Sequence, residues 1–294
     1  MRGWRHPLSV ALFAALLTFS VAVSGSVAAY GEAKYPAPRR VVSMNLCTDQ
    51  LAMLFAGQGQ LHSISYLSTK PEVSLLRERA RGFTINHGRA EEIFLMRPDL
   101  VLAGSFTKPM TVSMLRRLGM RVVTFAPAQS FVGIRTAIAR MGRLLGRDEA
   151  AGAALAAFDK EVAALASKPR TGKRAAMYYA NSYTSGRQTL AAEIVGRAGL
   201  VNLGSRLGYV GTVKLPLELL VMGRPDLVVG GRRMAREKSR SFEMVHHPAL
   251  HALTRNHLSL VLSDKYWICG TPFTLRAVRA LAAAARGIGN GARQ

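Results

Sequence analysis

Seven histidines, two cysteines and a thin set of acids are the residues with which this 294-residue chain could do chemistry. Their spacing argues against most of it. No Gly-x-Ser-x-Gly, His-Glu-x-x-His or Gly-x-Gly-x-x-Gly occurs, and no phosphate-cradling loop carries a lysine. His87 sits in a polar Asn-His-Gly turn, where a single histidine more often makes hydrogen bonds than holds a metal. His246, His247, His251 and His257 lie close in sequence, but only His247 and His251 have the i, i+4 spacing of a helical metal pair. A solvated or capping role suits them better. Cys47 with His87 would make a thiol nucleophile pair, with nothing in the sequence to orient it. Two cysteines are too few for a zinc cluster of known spacing, although Cys47 and Cys269 could pair in an oxidising compartment. The pattern is not that of an enzyme.

Two glutamates are more informative because their surroundings occur twice. Glu91 stands seven residues before Pro98 in an Arg-Pro-Asp-Leu-Val block, and Glu218 stands seven before Pro225 in another. In each copy a short apolar helix must stop, because proline cannot continue it and biases the preceding residue away from helix. A continuous apolar run follows, as expected of a parallel strand covered on both faces. The helix dipole alone would favour carboxylates at these two helix starts. The sharper reading is that both dock a symmetric partner carrying arginines. Such exposed pairs, worth about 0.2–1 kcal/mol each, set orientation and on-rate more than affinity.

The repeat implies two similar α/β lobes, and the rest of the chain fits. Strands are expected at Arg40–Met44, Leu61–Tyr66, Leu100–Ala103 and Arg121–Phe125, with a helix capped by Thr48 and another at Val112–Leu118. A polar loop joins Tyr66 to Asn86. Apolar positions of helical period then run through Ile134–Leu145, and a helix from Asp148 to Ser167 spans roughly 30 Å, enough for a strut between lobes. Strands return at Ala175–Ala180, Leu227–Val229 and Leu258–Leu262, with a polar loop over Asn181–Gly186 and a helix at Ala191–Ala198. These boundaries make residues 39–127 an N-terminal lobe, 128–168 a helical segment with the linker, and 169–294 a C-terminal lobe. Ligands bind outside the carboxyl ends of strands in open α/β sheets. Those ends carry Asn45, Leu46, Cys47, Tyr66, Asn86, His87, Ser105, Phe106, Tyr183, Tyr209 and Trp267, which would line an inter-lobe cleft for a flat or bulky ligand.

The formal charge is +23, with 40 basic and 17 acidic residues scattered along the chain and a basic run at 232–240. Scattered charge is mostly solvated surface, which argues against nucleic acid. A positive Met1–Arg5 region, an apolar stretch from Leu8 and small residues before Tyr30 read as a secretory signal peptide over residues 1–29. With no cysteine near that cut to take a lipid, a soluble periplasmic protein is expected.

Taken together, the leader, Arg40-Val41-Val42-Ser43-Met44-Asn45-Leu46-Cys47-Thr48-Asp49-Gln50, Asn86 to Glu92, both Pro-Asp-Leu-Val blocks and Trp267 to Gly270 resemble the periplasmic binding proteins of ABC importers for vitamin B12 and ferric siderophores. These are the class III, helical-linker type, and the resemblance covers roughly residues 39–285. It implies two Rossmann-like lobes with central parallel sheets joined by one long α-helix, limited hinge motion, and a ligand held between the lobes. It also implies a monomer without a resident cofactor, which delivers its ligand to an inner-membrane permease through Glu91 and Glu218. In the B12 binder a tryptophan precedes the first docking glutamate, and Asn86 stands near that place here. The excess positive charge suits an anionic iron chelate; a corrinoid, haem or, on the same scaffold, bare metal ions are the alternatives, and an exported thiol enzyme is a third class.

Overall fold

The computed structural model describes residues 36–230, 247–250, 252 and 258–287. The leader, the basic run at 232–240 and His246, His251 and His257 lie outside the described residues.

Short apolar runs bounded by turns build the first sheet. Its strands are β1 (Val41–Ser43), β2 (Leu61–Ser65), β3 (Thr84–Asn86), β4 (Leu100–Gly104) and β5 (Val122–Phe125), all parallel in the order β3-β2-β1-β4-β5. Alternate residues of a strand face opposite ways, so both faces must be covered. Val41, Leu100 and Leu102 pack into a cluster with α1 (Leu46–Phe55) and α5 (Phe131–Leu145). Val42, Val101 and Ala103 pack the other way, against Ile93 of α3 (Ala90–Leu95) and Leu115 of α4 (Pro109–Arg117). The short α2 (Arg77–Ala80) leads into β3.

A second parallel sheet has the order β11-β10-β6-β8, from β6 (Arg174–Met177), β8 (Val201–Asn202), β10 (Leu227–Gly230) and β11 (Leu258–Val261). Around it lie α7 (Leu190–Arg197), α8 (Leu203–Arg206), α9 (Leu217–Met222) and α10 (Thr274–Gly287). A separate antiparallel pair, β7 (Tyr183–Ser185) with β9 (Thr212–Lys214), completes this half.

Between the sheets runs a helix pair. Gly146 ends α5 in the left-handed region at φ 66°, and α6 (Asp148–Ala166) folds back along it. The expected strut is therefore half of a hairpin: Arg135 and Asp159 pair across it at 3.1 Å. The second half also caps this hairpin, since the Glu193 carboxylate of α7 accepts from the Phe131 N–H at 2.8 Å. One apolar cluster runs from Val41 and Leu100 through Ile138 and Phe158 to Met177 and Leu227, so the two sheets share a continuous core.

The duplicated unit is real in three dimensions. Helix α3 leads into β4, and α9 into β10, with every equivalent position 127 residues apart. Arg97 and Arg224 end the two helices in the left-handed region, at φ 48° and 42°. Asp99 then accepts from the Arg39 and Arg40 N–H groups (2.6 and 3.0 Å), as Asp226 does from that of Arg174 (2.7 Å). Each carboxylate thus pins the start of its lobe's first strand.

Three expectations need correction. The N-cap of α1 is Asn45, not Thr48, because the Asn45 side chain accepts from the Cys47 N–H while the Thr48 hydroxyl turns inward to Ser43. The stretch from Tyr66 to Asn86 is not all loop: it holds α2 and the edge strand β3. The polar segment Asn181–Gly186 contains β7, and β8 escapes notice because it is two residues long.

Candidate functional site

The strand order of the first sheet reverses between β1 and β4, and the loops leaving those two strands diverge to open a crevice. A cleft of about 430 Å³ occupies it. Its walls are Asn45 to Thr48 and Leu51 at the start of α1, Leu67 after β2, Gly104 to Phe106 after β4, and Phe125 to Gln129 after β5. Ile268 and Gly270 come from the other half. None of these residues carries a charge.

Asn45, Leu46, Cys47, Ser105 and Phe106 are therefore brought together as expected of strand ends. Phe106 is 86% exposed, an aromatic ring with nothing packed over it. Gly104 is needed where it stands, because a Cβ there would fall 2.6 Å from the Asn45 amide. Cys47 is bonded to Cys269, with Cα atoms 5.0 Å apart and a sequence separation of 222. That bond crosses from one half of the molecule to the other at the cleft itself. The approach is close: a Cβ on Gly270 would lie 2.3 Å from that of Ala128.

Tyr66 and His87 form a second group near the carboxyl ends of β2 and β3. Their rings stack with centroids 5.7 Å apart and planes 17° from parallel. Glu92 holds His87 from below, accepting from its N–H at 2.8 Å and lying 3.3 Å from Nδ1. Beneath Tyr66, fully buried Asp49 accepts from the Ser65 N–H (3.1 Å) and from the hydroxyls of Ser65 (2.5 Å) and Ser68 (2.8 Å). Burial pushes the Asp49 carboxyl up to about 7, the hydrogen bonds offsetting only part of the desolvation. Sequence reasoning missed Asp49. Its signal was an acid among apolar residues one turn into a helix, next to a strand ending in serines.

Other expected ligand residues are not in this cleft. Asn86 is fully buried, its amide donating to the Ser43 carbonyl and the Ser63 hydroxyl and its oxygen accepting from the Gly88 N–H. It fastens β3 to the sheet and, fully buried, does not reach the wall of this cleft. Tyr183 lies on the antiparallel pair, Tyr209 packs on the second half's smaller core, and Trp267 packs against the main core. None of the three lines this cavity.

Glu91 and Glu218 are both exposed in the first turns of α3 and α9, and among the described residues neither forms an ion pair. No group of three potential metal ligands exists among the described residues, and no described helix is long and apolar enough to cross a membrane.

Comparison with known proteins agrees with this geometry. A cobalamin-binding protein of Halobacterium salinarum is 30% identical over 199 residues, covering 66% of this chain and 54% of its own. The chain thus spans about half the length of the curated relatives it matches. The fold matches the apo periplasmic heme-binding protein RhuT from Roseiflexus sp. RS-1 (TM-score 0.70, 21% identity, 85% of this chain and 98% of that one). It also matches the periplasmic vitamin B12 binding protein BtuF of Vibrio cholerae (TM-score 0.64, 18% identity, 87% and 99%). The family model for periplasmic binding proteins matches residues 41–258, so with its paired parallel sheets and the cleft at a strand-order switch, this chain belongs to the periplasmic binding protein family.

Proposed function

We propose that this protein is the exported receptor of an ABC importer, that it captures a corrinoid between residues 39–127 and 169–294, and that it hands the ligand to an inner-membrane permease. The observation that carries the choice of ligand is the uncharged lining of the cleft, apolar with a few amides and hydroxyls. A large macrocycle with amide side arms suits such walls, because its flat faces bury against Leu46, Phe106 and Ile268 while Asn45, Ser105 and Gln129 supply hydrogen bonds. An anionic ferric siderophore would need cationic anchors, and the described cleft residues offer none. The +23 charge therefore argues less for an iron chelate than the sequence alone suggested. The leader reading supports export to the periplasm, and Glu91 and Glu218 support the permease as partner.

Haem is the second reading, favoured by one observation: a phenol and an imidazole stand ring to ring at the exposed Tyr66–His87 pair. Both are iron ligands.

Calorimetric titration with cyanocobalamin, haem and a ferric hydroxamate decides. Micromolar or tighter binding of the corrinoid, with quenching of Trp267 fluorescence, is expected. Haem binding with an absorbance change lost in Tyr66→Phe would instead establish the second reading. Absence of heat across all three would overturn both.

A further inference from the structure

The two docking helices carry more than their glutamates. Under the same 127-residue shift, Phe94 and Leu95 of α3 correspond to Val221 and Met222 of α9. Inward positions correspond as well: Ala90 and Ile93 are buried, and so are Leu217 and Leu220. The outward residues are large, apolar and uncovered. Leu95 is 77% exposed and Met222 75%, with Phe94 and Val221 at 44% and 38%. In both copies the exposed apolar residue follows the exposed glutamate by four positions, which places them on one helix face a turn apart.

Chance exposure of single apolar residues is ordinary, but the same acid-plus-apolar face at equivalent stations of both halves is not. We infer that Leu95 and Met222 are paired anchors of the protein's partner interface, each seated in an apolar socket beside a cation that receives Glu91 or Glu218. This rests on the receptor reading, and it assigns the partner: a membrane permease that presents one socket twice, about a two-fold axis. A carboxylate in each patch speaks against an anionic lipid surface as the occupant. The two residue types divide the work. Glutamates at the edge steer encounter and respond to salt, while desolvated apolar side chains hold the complex once formed.

Binding kinetics to the importer permeases of the source organism, each reconstituted in nanodiscs, test this. Leu95→Ala with Met222→Ala is expected to raise the dissociation rate at least tenfold, each truncation removing roughly the contacts of one buried aliphatic side chain. Association rate, salt dependence, melting temperature and ligand affinity stay as in wild type. Glu91→Gln with Glu218→Gln is expected to slow association and flatten its salt dependence, again with ligand affinity unchanged. Wild-type dissociation of the apolar double variant from a permease that wild type binds would overturn the anchors, and so would an effect of Leu95 without one of Met222. Loss of binding to anionic lipid vesicles in the apolar variant would assign the patches to the membrane instead. Failure of wild type to bind any of the permeases would overturn the receptor reading itself, and the anchors with it.

Discussion

Asp49 shows what one residue does to this site. Its carboxylate has a fully buried oxygen with no partner and another that accepts from Ser65 and Ser68, the residues flanking Tyr66 and Leu67. Because its folded value is raised from 3.8 to about 7, the native state holds this proton more tightly than the unfolded chain does. The stability it contributes is complete below about pH 4, declines as pH rises and is gone above about 7. Asp49→Asn is expected to remove that slope, which amounts to a few kcal/mol over the interval; urea midpoints at pH 5 and 8 would read it. A wild-type protein equally stable at both values would refute the assignment. His87→Ala, in contrast, removes an exposed ring outside the cleft and is expected to weaken haem binding about fivefold, leaving corrinoid binding and melting temperature nearly unchanged, since one stacked ring is worth about 1 kcal/mol. Residue chemistry was only partly legible from the sequence. Asn45, Leu46, Cys47, Ser105 and Phe106 were visible as strand ends, but Asn86, an equally good strand end, points inward, and no periodicity distinguishes the two.

Elements were more legible than residues, for a physical reason. Buried parallel strands write continuous apolar runs such as Leu100–Ala103, and the long helices write a stripe through Ala151, Phe158 and Leu165. Strands β3, β7 and β9 are short and polar, and pair through hydrogen bonds that leave no apolar mark. The helix hairpin was half visible: both helices stood out, yet their mutual packing, sealed by Gly146 and by Glu193 from α7, is a long-range fact. Where the halves meet, Gly270 is the most demanding position. Gly270→Ala would press a methyl into Ala128 and Ile134 of the opposite half. It is expected to cost about 1–3 kcal/mol and to weaken ligand binding, because the segment carrying Ile268 must back away from the cleft. Thermal melting and calorimetry together would show this, and an unchanged Kd would separate that segment from the ligand.

At the scale of the molecule, two sheets, one continuous core and one covalent bond define how far the halves can move. A receptor that opens by a wide swing would have to break the apolar cluster running through α5 and α6, whereas one that breathes locally would not. The Cys47–Cys269 bond limits opening at the cleft in the same sense. Replacing both cysteines by serine is expected to lower the unfolding free energy by up to about 5 kcal/mol, the loop-closure value for so long a span. Denaturant midpoints of the double variant measure it, and a midpoint equal to wild type would mean the bond does not form. The pairing has a topological corollary. Between positions 47 and 269 the disulfide closes the polypeptide into a ring, so a protease that nicks any single exposed loop within it liberates no fragment. A chain clipped there stays in one piece until a reductant arrives.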